Sequence, residues 1–127
     1  MTKVFTYGTL LSGESNHRVL RGSRCLGAER TPPRFRLVDL GAYPGMLADG
    51  NTSVVGELYE VNDDVLAALD RLEGHPRYYL RAPIVLAGWQ RAETYFFPAA
   101  HAAGHDVIES GDWRSWNKAK GASRCAW

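Results

Sequence analysis

Residues 54–74 read VVGELYEVNDDVLAALDRLEG, and the period of the apolar side chains changes inside this stretch. From Val54 to Val61 the pattern has a period of two. Val55, Glu57, Tyr59 and Val61 share one face, and Val54, Gly56, Leu58 and Glu60 share the other, as in a strand. Asn62-Asp63-Asp64 then supplies a cap and two first-turn acids. Val65, Leu66, Leu69 and Leu72 follow at helical spacing, and Leu66, Leu69 and Leu72 are expected to form the buried stripe. Gly74 fits the position just past a helix end, and Pro76 blocks continuation. A strand running directly into a short capped helix is the local unit from which the fold class is read.

Further strands are expected at Val4–Tyr7, Phe35–Leu40, Tyr78–Leu86 and Arg91–Phe97. The last two are joined by Ala87-Gly88-Trp89-Gln90, a plausible hairpin connection. Pro83 assigns the first of that pair to a sheet edge or a bulge. A shorter helix is expected around Ser15–Leu20, with Ser15 or Asn16 near its cap. Strands dominate and helices are few, so the expected fold is α+β, a small curved mixed sheet or β-barrel with a few short helices. Residues 1–127 are expected to form a single domain, with 112–127 as a C-terminal tail.

The chain has 127 residues, 45% of them apolar and 23% charged, with a formal charge of +1. One domain of this size can hold itself together without staples. The near-neutral balance gives no global field toward nucleic acid, membrane or acidic polymers. The start, Met1-Thr2-Lys3-Val4-Phe5, has no basic segment followed by an apolar one, and no run approaches the roughly 20 apolar residues of a membrane span. Cys25 and Cys125 are expected to be free thiols, as suits a cytoplasmic protein.

Two segments carry chemistry. In Tyr7-Gly8-Thr9-Leu10 a strand ends in a turn that presents successive backbone N–H groups, a concave donor site for a carboxylate or an oxyanion. An ordinary strand end has the same sequence. Glu73 lies at a helix C-terminus, where the macrodipole disfavours an anion. Either it is a base in a partly apolar pocket, or it is a surface carboxylate in water.

The two segments occur together, in order, with others. Residues 3–10, Lys3 to Leu10, are followed by Gly13, Asn16 and His17, by Gly41-Ala42-Tyr43-Pro44-Gly45 and by Val55-Gly56-Glu57-Leu58-Tyr59. Leu69-Asp70-Arg71-Leu72-Glu73-Gly74, Tyr78 or Tyr79, Arg81 and Tyr95 complete the series. This order and spacing closely resembles the γ-glutamyl cyclotransferase-like family, which includes the γ-glutamylamine cyclotransferases and AIG2-like proteins. Thr9 stands where that family often has Ser, and His75-Pro76 follows the Glu-Gly pair. The segment 110–116 resembles only some bacterial members.

The resemblance implies an enzyme without cofactor or metal that acts on a small γ-glutamyl substrate. The substrate's α-amine attacks its own γ-carbonyl, releasing 5-oxoproline and an amine. It implies that Glu73 is the general acid/base, that Tyr7, Gly8, Thr9 and Leu10 bind substrate, and that Tyr79 walls the pocket with a hydroxyl handle. Tyr43-Pro44-Gly45 is a rim loop or a structural turn. A non-catalytic protein that binds a small carboxylate or amine in the same cavity is the alternative. A monomer is expected, with no nucleic-acid or membrane partner.

Other features have simpler readings. His101 and His105 are four apart, but only Asp106 is near as a third metal ligand, so a solvated segment is expected. His17 is read as a polar neighbour of the helix cap. Asp70, at i−3 from Glu73, is expected to face solvent or pair with Arg71 or another base. Asp39 is expected to be buried and partnered. Trp113, Trp116, Arg114, Lys118, Lys120 and Arg124 mix aromatic and basic residues as single-strand binders do. Docking of the two tryptophans against the sheet is the expected role.

Overall fold

A computed structural model describes the backbone of residues 1–125 and the side chains of residues 1–120. Seven strands make one mixed sheet: β1 (Thr2–Thr6), β2 (Arg24–Arg30), β3 (Phe35–Asp39), β4 (Pro44–Thr52), β5 (Val55–Val61), β6 (Leu80–Val85) and β7 (Arg91–Phe96). The order is β2-β5-β1-β7-β4-β3, with β6 paired to β7. Two helices, α1 (Asp63–Glu73) and α2 (Trp113–Cys125), complete the domain, with 3₁₀ turns at His17–Leu20 and Ala99–His101. The α+β mixed sheet agrees with expectation, and the sheet is open rather than a closed barrel.

Strand β7 organises the site. Its whole length pairs antiparallel with β6, leaving β1 and β4 to share its other edge, both parallel to it. Val4 of β1 lies opposite Glu93, and Met46 of β4 lies opposite Phe96. The end of β1 therefore meets the start of β4, and the chain after Thr6 must turn out of the sheet beside Pro44.

Both faces of the sheet are covered. Alternation along β1 sends Phe5 into a core with Leu37, Met46, Leu58, Ile108 and Trp113, and Val4 into another with Leu69, Tyr79, Tyr95 and Phe97. This explains why adjacent residues of β1, Val4 and Phe5, are both apolar.

Helix α1 forms as its sequence requires. Asn62 Oδ1 accepts from the Val65 N–H at 2.8 Å, and Gly74 takes the left-handed conformation, φ 68°. The His75 N–H closes onto the Asp70 carbonyl at 2.9 Å, the Schellman arrangement that stops the helix at Glu73. One expectation is corrected here. Leu69 is fully buried, but Leu72 is 42% exposed and does not belong to the buried stripe.

Other boundaries also differ. Strand β2 is edge-placed and polar, and β4 begins at the last two residues of Tyr43-Pro44-Gly45, expected as a rim loop or a turn, and carries Asp49-Gly50-Asn51; neither strand was among those expected. Pairing with β5 and β3 makes them strands despite turn-forming residues. Strand β6 is an edge strand, as Pro83 implied. The hairpin is closed by the Leu86 N–H bonding to the Gln90 carbonyl at 2.8 Å.

The segment from Asp112, read as a tail, forms helix α2. Trp113 is fully buried, and its indole N–H donates to Glu14 at 3.2 Å. Trp116 Nε1 and Lys120 Nζ both donate to Asp39 Oδ2 at 2.8 Å. Asp39 is thus the partnered acid expected. Burial alone would raise its carboxyl, but the bonds from Lys120, Trp116 and Gly41 outweigh that and hold it below the usual range. Cys25 is an exposed free thiol; the Cys125 side chain lies outside the described residues.

Candidate functional site

Where β1 leaves the sheet, a cavity of about 230 Å³ opens between the Tyr7–Leu10 turn, the start of β4 and the end of α1. Its wall includes all the residues singled out from the sequence: Tyr7, Gly8, Thr9, Leu10, Glu73 and Tyr79. Asn16, Tyr43, Pro44, Leu72, Tyr78 and Tyr95 also line it.

The turn is built for close approach and held in place by Asn16. A Cβ on Gly8 would meet Pro44 Cγ at 2.7 Å, so a larger residue cannot pass between β1 and β4 without displacing the proline. The Asn16 N–H donates to the Thr9 carbonyl at 2.8 Å, and Asn16 Nδ2 donates to Thr9 Oγ1 at 3.0 Å. His17 Nδ1 meets the Leu10 carbonyl at 2.9 Å, the polar neighbour role expected of it. Among the described residues, the N–H groups of Gly8, Thr9 and Leu10 find no protein acceptor. The result is a row of unused donors at the cavity wall.

Opposite this turn is Glu73. Its carboxylate accepts no hydrogen bond from the described residues, and burial pushes its pKa up to about 7. The helix end that carries it is anchored from below. Arg81 Nε and Nη2 donate to the two oxygens of Asp70 at 2.9 and 3.2 Å, and Arg81 Nη1 reaches Glu93 at 2.9 Å. The Tyr95 hydroxyl donates to Asp70 at 2.7 Å. Of the alternatives expected for Asp70, the structure shows pairing with a base other than Arg71, namely Arg81. Burial pushes it up, but the bonds from Arg81 and Tyr95 prevail and keep its carboxyl below the ordinary range. Asp70 and Glu73, one turn apart, thus titrate in opposite directions from different surroundings.

The tyrosines correct one expectation. Tyr7 donates its hydroxyl proton to the Tyr95 carbonyl at 2.7 Å, and Tyr79 donates to the Pro44 carbonyl at 2.6 Å. Neither proton is free to serve a ligand. The Tyr7 oxygen also accepts from the Met46 N–H at 3.1 Å, so of the two only Tyr79 offers an open acceptor, and among the described residues the turn's N–H groups and the Thr9 hydroxyl are donors that the wall leaves unused. Burial raises both phenols well above their usual value, and the Glu73 charge adds to the rise.

Tyr95 and the Asp70–Arg81 pair were not read as parts of the site. Tyr95 lies 25 positions from Asp70 in sequence, on a strand rather than the helix, and no local pattern marks the bond. His101 and His105 are exposed, and no cluster of metal-binding side chains occurs among the described residues. Arg114 and Lys120, of the basic stretch, are held by Ser12 with Glu57 and by Asp39. No helix among the described residues is long and apolar enough to cross a membrane.

Residues 4–115 match the family described as γ-glutamyl cyclotransferase, AIG2-like. The chain belongs to this family. A relative from Vibrio cholerae that carries γ-glutamylcyclotransferase in its name is 47% identical over 110 residues, 87% of this chain and 93% of that one. The γ-L-glutamyl-butirosin B γ-glutamyl cyclotransferase of Niallia circulans is 40% identical over 74 residues, 58% of this chain and 46% of that protein. In three dimensions the chain is similar to an AIG2-like protein from Mus musculus. The TM-score is 0.75 at 29% identity, with 88% of each chain covered. Membership and these names support γ-glutamyl cyclotransferase activity in general. The site lies within the matched span.

Proposed function

We propose that the chain converts a γ-glutamyl amine or amide into 5-oxoproline and a free amine, with Glu73 as the group that carries the proton. The observation that supports this most is the opposition of a desolvated carboxyl, with a pKa of about 7, to three unused N–H donors across one small cavity.

The reaction needs no external nucleophile. The substrate's α-ammonium loses a proton to Glu73, and the amine nitrogen attacks the γ-carbonyl carbon to close a five-membered ring. The carbonyl oxygen becomes an oxyanion. As it reforms its double bond, the bond to the leaving nitrogen breaks; Glu73 returns the first proton to that nitrogen and also carries across the second, which the ring nitrogen sheds after attack, so the amine departs as an ammonium and 5-oxoproline keeps a single ring N–H. Atoms balance without water. Gly8, Thr9 and Leu10 donate to the α-carboxylate or the oxyanion. The oxygen of Tyr79, whose proton points to Pro44, accepts from the ammonium alongside Glu73, while that of Tyr7 already accepts from the Met46 N–H at 3.1 Å.

A carboxyl near neutrality serves both halves of this cycle better than one near ~4.3, because the amine it deprotonates is far more basic. Ring closure is intramolecular, so folding the substrate into the attacking geometry supplies much of the acceleration. The test is 5-oxoproline formation from a panel of γ-glutamyl amines, γ-glutamyl amino acids and glutathione. Release from any of them supports turnover. Binding without release from all of them supports the non-catalytic alternative.

A further inference from the structure

The part of a γ-glutamyl substrate that leaves must exit where the cavity opens. The most exposed lining residues mark that opening: Leu72 and Tyr78, each 42% exposed, with Tyr43 beside them. All three present carbon surface. Among the described residues Glu73 is the sole carboxylate of the wall, and no Lys, Arg or His lines it. Arg81, the basic residue packed under the helix end, is fully engaged by Asp70 and Glu93. A carboxylate on the leaving amine would therefore enter an opening that offers it no countercharge and would lie in the field of Glu73.

The aromatic side of the opening is rigid. Tyr78 meets Tyr79, Phe97 and Tyr43 edge-to-face, with centroids at 5.1, 5.6 and 6.3 Å and interplanar angles of 85°, 84° and 83°. Its hydroxyl is paired with that of Tyr43 at 2.8 Å, joining the loop before β4 to the segment between α1 and β6. A ring held by three neighbours in this way, and still 42% exposed, loses little freedom when a flat group packs on its exposed part.

We propose that the Tyr43–Tyr78 pair and Leu72 form a leaving-group subsite that selects γ-glutamyl derivatives of arylalkyl amines carrying no carboxylate. This rests on the cyclotransferase reading and narrows its substrate class. Tyr78 supplies the stacking surface, Leu72 the opposite apolar wall, and Tyr43 holds Tyr78 in place. The missing cation is what disfavours γ-glutamyl amino acids.

The experiment compares kcat/KM for 5-oxoproline release from the γ-glutamyl derivatives of benzylamine, methylamine and alanine. Benzylamine is expected to exceed alanine at least about tenfold, the scale on which one pocket contact discriminates substrates. Tyr78→Ala is expected to bring the benzylamine-to-methylamine ratio close to one, and Tyr78→Phe to keep it, because the ring rather than the hydroxyl does the stacking. A wild-type protein that handles γ-glutamyl-alanine as well as the benzylamine derivative overturns this subsite while leaving the cyclotransferase reading intact. So does a ratio that Tyr78→Ala leaves unchanged. No 5-oxoproline from any of the three, or from the wider panel, overturns both.

Discussion

The Tyr79 hydroxyl donates a 2.6 Å hydrogen bond to the backbone carbonyl of Pro44, joining the segment after α1 to the first residue of β4. This bond spans the cavity wall from the base-bearing helix to the strand beside the donor turn. It makes Tyr79 a structural tie as well as an acceptor surface. Tyr79→Phe leaves a buried carbonyl unpaired, and a stability loss of about 1–3 kcal/mol is expected by urea denaturation. Activity is expected to fall less than for any change at Glu73.

Glu73 is held in a state that costs the fold stability. Its pKa in the folded protein, about 7, lies above the ordinary glutamate value of 4.5. The folded state therefore binds more protons than the unfolded state between these values, and stability falls as pH rises through that window. The sign is opposite to that of a salt-bridged carboxylate. Glu73→Gln removes the charge, so the variant is expected to be more stable than wild type at pH 8, by on the order of 3 kcal/mol, and to lose that advantage below about pH 4.5. Denaturation at the two pH values checks it.

Asp70 behaves in the reverse sense. Its carboxyl is depressed, because the bonds from Arg81 and Tyr95 outweigh burial. Its contribution is present above the ordinary carboxylate range and is lost as pH falls through the lowered value. Asp70→Asn weakens the tie that anchors the Glu73 end of α1 to β6 and β7. A loss of about 1–3 kcal/mol is expected, since charge-assisted hydrogen bonds are at stake. Because the helix end loosens, kcat is expected to fall with it, and steady-state rates beside denaturation curves test both effects.

Gly8→Ala places a methyl group 2.7 Å from Pro44 Cγ. The proline sits in β4, so the turn rather than the strand is expected to yield. Overpacking of this kind costs about 1–3 kcal/mol. The donor row shifts as well, so KM for a γ-glutamyl amine is expected to rise. An unchanged KM would show that the Gly8–Leu10 N–H groups do not hold the substrate.

Much of the site was legible because its two halves are local in sequence. The capped helix ending at Glu73-Gly74 and the strand ending at Tyr7-Gly8 each signal their own geometry through turn chemistry. Their proximity came from resemblance, not from either segment. What stayed hidden depends on distant pairing. Strands β2 and β4 carry Arg24, Asp49 and Gly50, and become strands only because β5 and β3 offer edges. Helix α2 had a signal that was underused: Trp113, Trp116 and Lys120 at i, i+3 and i+7 mark one face. The direction of the tyrosine protons was invisible, because it depends on carbonyls 35 and 88 residues away in sequence.

The most direct test of Glu73 as the proton carrier is kcat/KM for 5-oxoproline release as a function of pH, measured for wild type and Glu73→Gln. Wild type is expected to gain activity as pH rises through about 7, where Glu73 deprotonates. Glu73→Gln is expected to lose roughly 10²–10⁴-fold at pH 8. A Gln variant as active as wild type, or a wild-type acidic limb near ~4.3, the value of an exposed glutamate, would contradict the role assigned to this residue.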